Sequence, residues 1–264
     1  MLKAAVVQLC SSDDIDDNLA SIDYLLAPLL SQSIDLILLP ECFAQLGGDV
    51  SAFGKNTTKV RQWMADTARR HQAWLIGGSI PFQLDAAENS RASCFVFNPQ
   101  GLLESRYDKI HLFDASVADK HRLYRESSDY SAGSQPFVVD MGEAKIGLSI
   151  CYDLRFPELF RKLVSAGANI LTVPSAFTHA TGQSHWEVLL RARAIENQCY
   201  VLAANQGGLH ANKRQTWGHS MIISPWGEVL ASANKDPGVL VAELDMKVLY
   251  DIRTKMPCLE HRKL

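Results

Sequence analysis

The sequence predicts an α/β fold: one domain carrying two mixed β-sheets, each covered by helices. Strand-like and helix-like segments alternate along the chain. Continuous apolar runs such as residues 36–39 have the pattern of strands buried on both faces. Hairpin turns recur at Pro99-Gln100-Gly101, Gly142-Glu143 and Pro225-Trp226-Gly227, too often for a simple doubly wound sheet. No linker, repeat or low-complexity segment interrupts the pattern, so a single domain is expected over residues 1–264.

The elements follow in order. Residues 3–9 read as a strand, and Asp16 or Asp17 can cap a helix to about Ser31 with Ile22, Leu25, Leu26 and Leu29 on one face. Residues 35–39 form a short buried strand, 59–71 an amphipathic helix, 73–80 and 94–98 strands, and 102–109 a hairpin partner. Residues 115–133 are polar and read as a long loop. Strands are expected at 137–140 and 146–150, then a helix at 157–166 with Pro157 in its first turn and Gly167 at its end. A strand at 169–173, a helix at 184–197, and strands at 200–205, 220–224, 228–233 and 239–243 complete the chain.

With 264 residues the chain can bury a sizeable core without staples. Hydrophobic residues make up 47% and charged residues 21%, and the net charge of −3 comes with no block of like charge. That balance argues against a nucleic-acid binder or a polybasic membrane anchor. Apolar runs are too short to span a bilayer. The N-terminus reads as a strand rather than a secretory signal, so a cytoplasmic location is expected. The six cysteines are scattered singly with no C-x-x-C pair, and most are expected to be buried free thiols.

Common cofactor motifs are missing: no G-x-G-x-x-G after a strand, no P-loop, no H-E-x-x-H. Attention falls on Cys151, where the apolar strand 146–150 runs out and the chain turns into a helix. Such an elbow exposes its turn residue and aims backbone N–H groups and a helix dipole near it, favouring a thiolate and a neighbouring oxyanion. Glu41 follows the apolar strand and Pro40, and Lys109 closes another strand. Ligand sites in α/β sheets collect at carboxyl ends of strands, so acid, base and thiol there form a plausible constellation. Glutamate can act as general base, lysine can stabilise an oxyanion and hold down the thiol pKa, and cysteine can attack a carbonyl or nitrile carbon. That chemistry needs no cofactor and no metal. A papain-like Cys–His pair is the rival arrangement.

Leu39-Pro40-Glu41, Tyr107-Asp108-Lys109-Ile110-His111 and Ile150-Cys151-Tyr152-Asp153-Leu154-Arg155-Phe156-Pro157-Glu158 together resemble the signature motifs of the nitrilase superfamily of carbon–nitrogen hydrolases. The resemblance runs from the first strand to about Arg262. It implies a four-layer α-β-β-α sandwich, usually paired as a homodimer or higher homo-oligomer, with Glu41 as general base, Lys109 as oxyanion stabiliser and Cys151 as nucleophile. Tyr124-Arg125-Glu126-Ser127 resembles the family's segment with a second glutamate, which makes Glu126 the residue that positions Lys109.

Within the superfamily, the stretches from Pro174 to Gly182 and from His185 to Glu196 resemble the Nit branch, whose members hydrolyse terminal amides of small carboxylates. The stretch from Asn205 to Arg214 resembles the type acting on deaminated glutathione more than the ω-amidase type acting on 2-oxoglutaramate. The expected partner is therefore a small-molecule amide, not a nucleic acid or a membrane. Arg155 could bind a substrate carboxylate, with Tyr152, Phe177 and Thr181 lining the same pocket. Its alternative is an ion pair with Glu158 or Asp153. His210 or Arg214 could reach the far end of a longer substrate. A fold of this type that binds a partner without turnover is the remaining alternative.

Overall fold

The computed structural model describes residues 1–83, 89–119 and 123–263. A seven-stranded sheet has the order Gly238–Leu244, Leu2–Gln8, Leu36–Leu38, Trp74–Ile76, Arg91–Phe97, Ile80–Phe82, with Leu103–Asp108 also paired to Arg91–Phe97. A six-stranded sheet has the order Val229–Ser232, Met221–Ile223, Tyr200–Ala203, Ile170–Thr172, Ala144–Leu148, Val138–Met141. Each has three parallel strands at its centre and antiparallel strands outside, which makes both sheets mixed as the hairpin signals implied.

The period-two alternation of strands assembles the layers. Ala5, Val7, Ile37 and Leu75 face the helices α1 (Ile15–Leu26), α2 (Val50–Phe53) and α3 (Thr57–His71), meeting Ile22, Phe53 and Met64. The intervening Ala4, Val6, Leu36, Leu38 and Ile76 point the other way, against Ile146, Leu148, Ile170 and Val201 of the second sheet. Beyond that sheet lie α4 (Pro157–Ser165) and α5 (His179–Asn197), which contribute Phe160, Leu163, Trp186 and Leu190. The result is an α-β-β-α sandwich. A last helix, α6 (Met246–Lys255), adds Met246 and Leu249 to the same core. Buried Gln8 ties the layers together: its Oε1 accepts from Ser220 N at 2.8 Å, and its Nε2 donates to the carbonyls of Asn234 and Asp236 at 2.7 Å. Among the described residues no helix is long and apolar enough to cross a membrane.

Several elements depart from the sequence reading. The first helix begins at Ile15 because Asp14, not Asp16 or Asp17, caps it, accepting from Asp17 N. The expected strand 73–80 is broken at Gly77 and Gly78 into Trp74–Ile76 and Ile80–Phe82. Helix α5 starts five residues before the expected 184, because the Thr178 side chain accepts from Thr181 N and caps it. The polar stretch 115–133 is not a plain loop: Asp114–Ser116 pairs with Leu123–Arg125, and buried Tyr124 pins the pair to the body; residues 120–122 of that stretch lie outside the described residues. The hairpin Gly207–Leu209/Gln215–Trp217 and α6 were not anticipated. All six cysteines are free, but only Cys94, Cys151 and Cys199 are buried.

The break at Gly78 matters beyond the sheet. Gly78 has φ +45°, and a Cβ there would lie 1.8 Å from the carbonyl oxygen of Pro40, the residue before Glu41. Gly78→Ala is therefore expected to cost about 1–3 kcal/mol of stability through overpacking. It should also displace the Pro40–Glu41 segment. Denaturant titration and the activity of the folded fraction check this; an unchanged midpoint would show that the loop yields freely.

Candidate active site

Carboxyl ends of strands from both sheets meet at one place. In the first sheet, the chain leaves strand Leu36–Leu38 through Leu39 and Pro40, and Glu41 forms a parallel bridge with Ser79. Strand Leu103–Asp108 ends just before Lys109, whose amide donates to the Ala92 carbonyl at 2.9 Å. In the second sheet, Cys151 follows strand Ala144–Leu148 with φ +50°, a left-handed conformation that a non-glycine residue adopts only when its surroundings hold it. Its amide donates to the Pro174 carbonyl at 2.8 Å. Glu126 opens a short 3-10 turn, Glu126–Ser128, directly after strand Leu123–Arg125.

These side chains form one cluster. Lys109 is 2% exposed, and its Nζ donates to Glu41 Oε1 at 2.9 Å and to both carboxylate oxygens of Glu126 at 2.8 Å. The other oxygen of Glu41 accepts the Ala176 amide at 2.7 Å, and Glu126 Oε2 accepts the Phe113 amide at 2.6 Å. Cys151 lines the same cavity as Glu41, close enough for the Glu41 charge to act on its thiol. All four residues named from the sequence are thus brought together on one cavity.

The electrostatics correct one expectation. Burial pushes the Glu41 carboxyl pKa up, but the charge and hydrogen bond of Lys109 outweigh it, and the group stays below its ordinary value. Burial pulls the Lys109 ammonium down, yet the charges of Glu126 and Glu41 raise it well above normal. Cys151 goes the other way from the sequence expectation. Burial raises its pKa, the Glu41 charge raises it further, and Lys109 offsets only part of this. The resting group is a thiol beside an ionised carboxylate, which suits general-base activation at the moment of attack.

The turn after Cys151 also differs from a plain strand-to-helix elbow. Residues Cys151–Arg155 form a 3-10 turn before α4 begins at Pro157. Fully buried Asp153 holds it, accepting from Ile150 N at 2.9 Å, Tyr107 Oη at 2.6 Å, His111 N at 3.0 Å and His111 Nδ1 at 2.7 Å. Tyr107 and His111 flank Lys109 in the chain, so one carboxylate fastens the cysteine turn to the lysine segment. The sequence reading offers Asp153 only as a possible ion-pair partner of Arg155; its burial is the signal that the sequence does not carry.

Two spaces open on Cys151. The wider, a cavity of about 280 Å³, is lined by Glu41, Lys109, Glu126, Tyr124 and Arg214 among others. The other is a narrow cleft of about 10 Å³ between Cys151, Tyr152, Arg155, Phe177 and Thr181, the residues expected to line a substrate pocket. Arg155 pairs with neither Asp153 nor Glu158. Its guanidinium lies over the rings of Phe177 and Tyr152, with Nη1 3.3 Å from His185 Nδ1. The cleft as it stands has room for about one water. His210 does not reach the cavity. It is 3% exposed, Nδ1 donates to the Ser11 carbonyl at 2.8 Å, and Nε2 faces the Thr216 hydroxyl at 2.7 Å. It is a structural tie of its hairpin. Glu187 and Arg191, four residues apart on α5, form an ion pair at 3.4 Å.

The family model for carbon-nitrogen hydrolases matches residues 3–254. The deaminated glutathione amidase of Yersinia enterocolitica is 40% identical over 264 residues, covering 98% of this chain and 92% of that protein. The crystal structure of the C. elegans NitFhit protein superposes with a TM-score of 0.92 at 36% identity, covering 99% of this chain and 65% of that one. The structure of Saccharomyces cerevisiae Nit3, a member of branch 10 of the nitrilase superfamily, gives a TM-score of 0.87 at 31% identity, covering 100% and 97%.

The raised pKa of Cys151 has a direct readout. A group whose pKa lies above neutrality is protonated there, so the wild type minus Cys151→Ala difference spectrum at neutral pH should lack an ultraviolet thiolate band. A band at neutral pH would mean that Lys109 overrides Glu41.

Proposed function

The chain belongs to the carbon–nitrogen hydrolase family, and on that premise we propose that it is an amidase cleaving the amide of a small carboxylic acid through a thioester on Cys151. The observation that carries this reading is Glu41, bonded to Lys109 Nζ at 2.9 Å, on the wall of the same cavity as Cys151, where its charge acts on the thiol. Glu41 takes the thiol proton as Sγ attacks the carbonyl carbon. The oxyanion forms beside the Lys109 ammonium, which Glu126 holds from the other side. Collapse breaks the C–N bond, and the departing amine takes the proton from Glu41. Glu41 then deprotonates a water that attacks the thioester, and the acid leaves as the proton returns to sulfur.

The two spaces divide the substrate. The narrow cleft with Arg155, Tyr152, Phe177 and Thr181 has room for about one water as it stands, so it takes a short acyl chain ending in a carboxylate only after Arg155 moves off the Phe177 and Tyr152 rings and the cleft widens. The wide cavity suits a bulky amine. Deaminated glutathione has that shape: a short 2-oxo diacid joined by an amide to cysteinylglycine. The relative from Yersinia enterocolitica carries the name of that activity. We take deaminated glutathione as the substrate, with 2-oxoglutaramate as the alternative that leaves most of the wide cavity empty. A paired, cytoplasmic, single-domain enzyme remains part of the same proposal.

Three measurements test it. Cys151→Ala should abolish turnover with the fold intact, and an intact-mass spectrum of wild type with substrate should show an acyl adduct on Cys151; persisting activity in the variant would sink the mechanism. Lys109→Ala should lose about a hundred- to a thousandfold in kcat, the usual loss for one oxyanion donor. Lys109→Arg should not restore it, because the forked guanidinium cannot occupy the seat of a compact ammonium between two carboxylates. Finally, kcat/KM should be higher for deaminated glutathione than for 2-oxoglutaramate. The reverse order would replace the substrate but not the reaction, and turnover of neither would favour a binding protein.

A further inference from the structure

We propose that Arg214 reads the leaving-group half of the substrate by seating a carboxylate carried by the departing amine. The inference rests on the amidase reading above and adds a specificity residue to it. Cys151 lines both the wide cavity and the narrow cleft, so a scissile carbonyl over its sulfur sends one substituent into each. Glu41 and Glu126 line the wide cavity and not the cleft. The amine must receive its proton from Glu41, so the amine belongs in the wide cavity and the acyl chain in the cleft.

Besides Lys109, two cations line that side, exposed Arg125 and half-buried Arg214, and of the two Arg214 is the one with a buried donor lacking a partner among the described residues. Lys109 is already shared between two carboxylates, which leaves the cluster Glu41, Lys109 and Glu126 with one net negative charge. Asp129 also lines the cavity. A second carboxylate entering there is repelled unless a cation meets it. The Arg214 guanidinium lies over the buried Tyr124 ring at 5.3 Å, which fixes its plane. Its Nη2 donates to the Ala176 carbonyl at 2.6 Å, while its Nε is buried with no partner among the described residues. An unpaired buried donor on a charged group is costly to leave unmade, and a carboxylate oxygen reached by a small side-chain movement would satisfy it. The fitting ligand is an amine bearing a carboxylate a few bonds from its nitrogen, as in an amino acid or a short peptide.

The competing role is purely electrostatic, since the Arg214 charge also helps to depress the Glu41 pKa. Two amides of the same 2-oxo diacid separate the two roles: one made with glycine, which keeps a carboxylate on the leaving amine, and one made with methylamine, which has none. Wild type should prefer the glycine amide in kcat/KM. Arg214→Gln should shrink that preference about tenfold or more, mainly through KM, and Arg214→Lys should recover part of it because charge remains without the fork. The proposal is overturned if Arg214→Gln slows both amides by the same factor with a shifted pH profile, since Arg214 then acts through Glu41. It is equally overturned if both variants, shown folded by circular dichroism, keep the wild-type preference. Failure of the underlying amidase reading looks different: wild type turns over neither amide, and both proposals fall together.

Discussion

A lysine ammonium almost wholly withdrawn from water is the constraint around which the rest of the site is built. Desolvating such a group is tolerable only when opposite charges and hydrogen bonds replace its hydration. Lys109 receives both from Glu41 and Glu126, which come from segments 68 and 17 residues away. Removing one partner of a buried pair costs about 3–5 kcal/mol in general, so the three side chains stand or fall together. Hence the strand ending before Lys109, the strand leading to Glu41 and the short hairpin leading to Glu126 cannot drift independently. The proposed oxyanion donor is in this way also the fastener of the cavity wall.

The second sheet is tied to that cluster by a separate device. Asp153 gathers donors from Ile150, Tyr107 and His111, so the turn carrying Cys151 is bonded to the residues two places before and two places after Lys109. The His111 ring also stacks on Phe156 with centroids 3.7 Å apart, which closes the knot on its outer side. The positive φ of Cys151 is a local strain that such a knot can sustain. Nucleophile and lysine thus come from different sheets, yet their relative position is set by side chains rather than by sheet packing alone.

How far the sequence discloses this depends on what each residue's signal is made of. The sheets are legible because the continuous apolar runs at residues 4–7 and 36–39 signal strands buried on both faces, and because Pro-x-Gly and Gly–Glu turns mark hairpins. Glu41, Lys109 and Cys151 were legible because polar or reactive residues sat where apolar strands run out. Glu126 was reachable only through resemblance: the hairpin that presents it has short polar strands, and polarity was read as loop. The direction of the Cys151 shift was not legible either. A strand end says nothing of which charges surround the sulfur, and here burial and the Glu41 charge outweigh the lysine. His210 and Arg214 are four residues apart in one hairpin, yet one is locked among Ser11 and Thr216 while the other faces the cavity. Sequence patterns do not resolve that difference, because it depends on which way a two-strand ribbon turns its faces.

The charge arrangement explains why a raised thiol pKa is compatible with catalysis by sulfur. A site that stabilised the resting thiolate would lower the energy of the ground state as well as that of the transition state, and the rate would gain little. Here the Lys109 charge is already satisfied by Glu41 and Glu126 before substrate binds. On the proposed mechanism, the thiol proton moving to Glu41 neutralises one of those two carboxylates. The ammonium then faces one carboxylate fewer at the moment the substrate oxygen becomes negative beside it. Proton transfer and oxyanion stabilisation are therefore linked through one lysine: the first step releases the charge that the second requires, and neither needs a thiolate to exist beforehand.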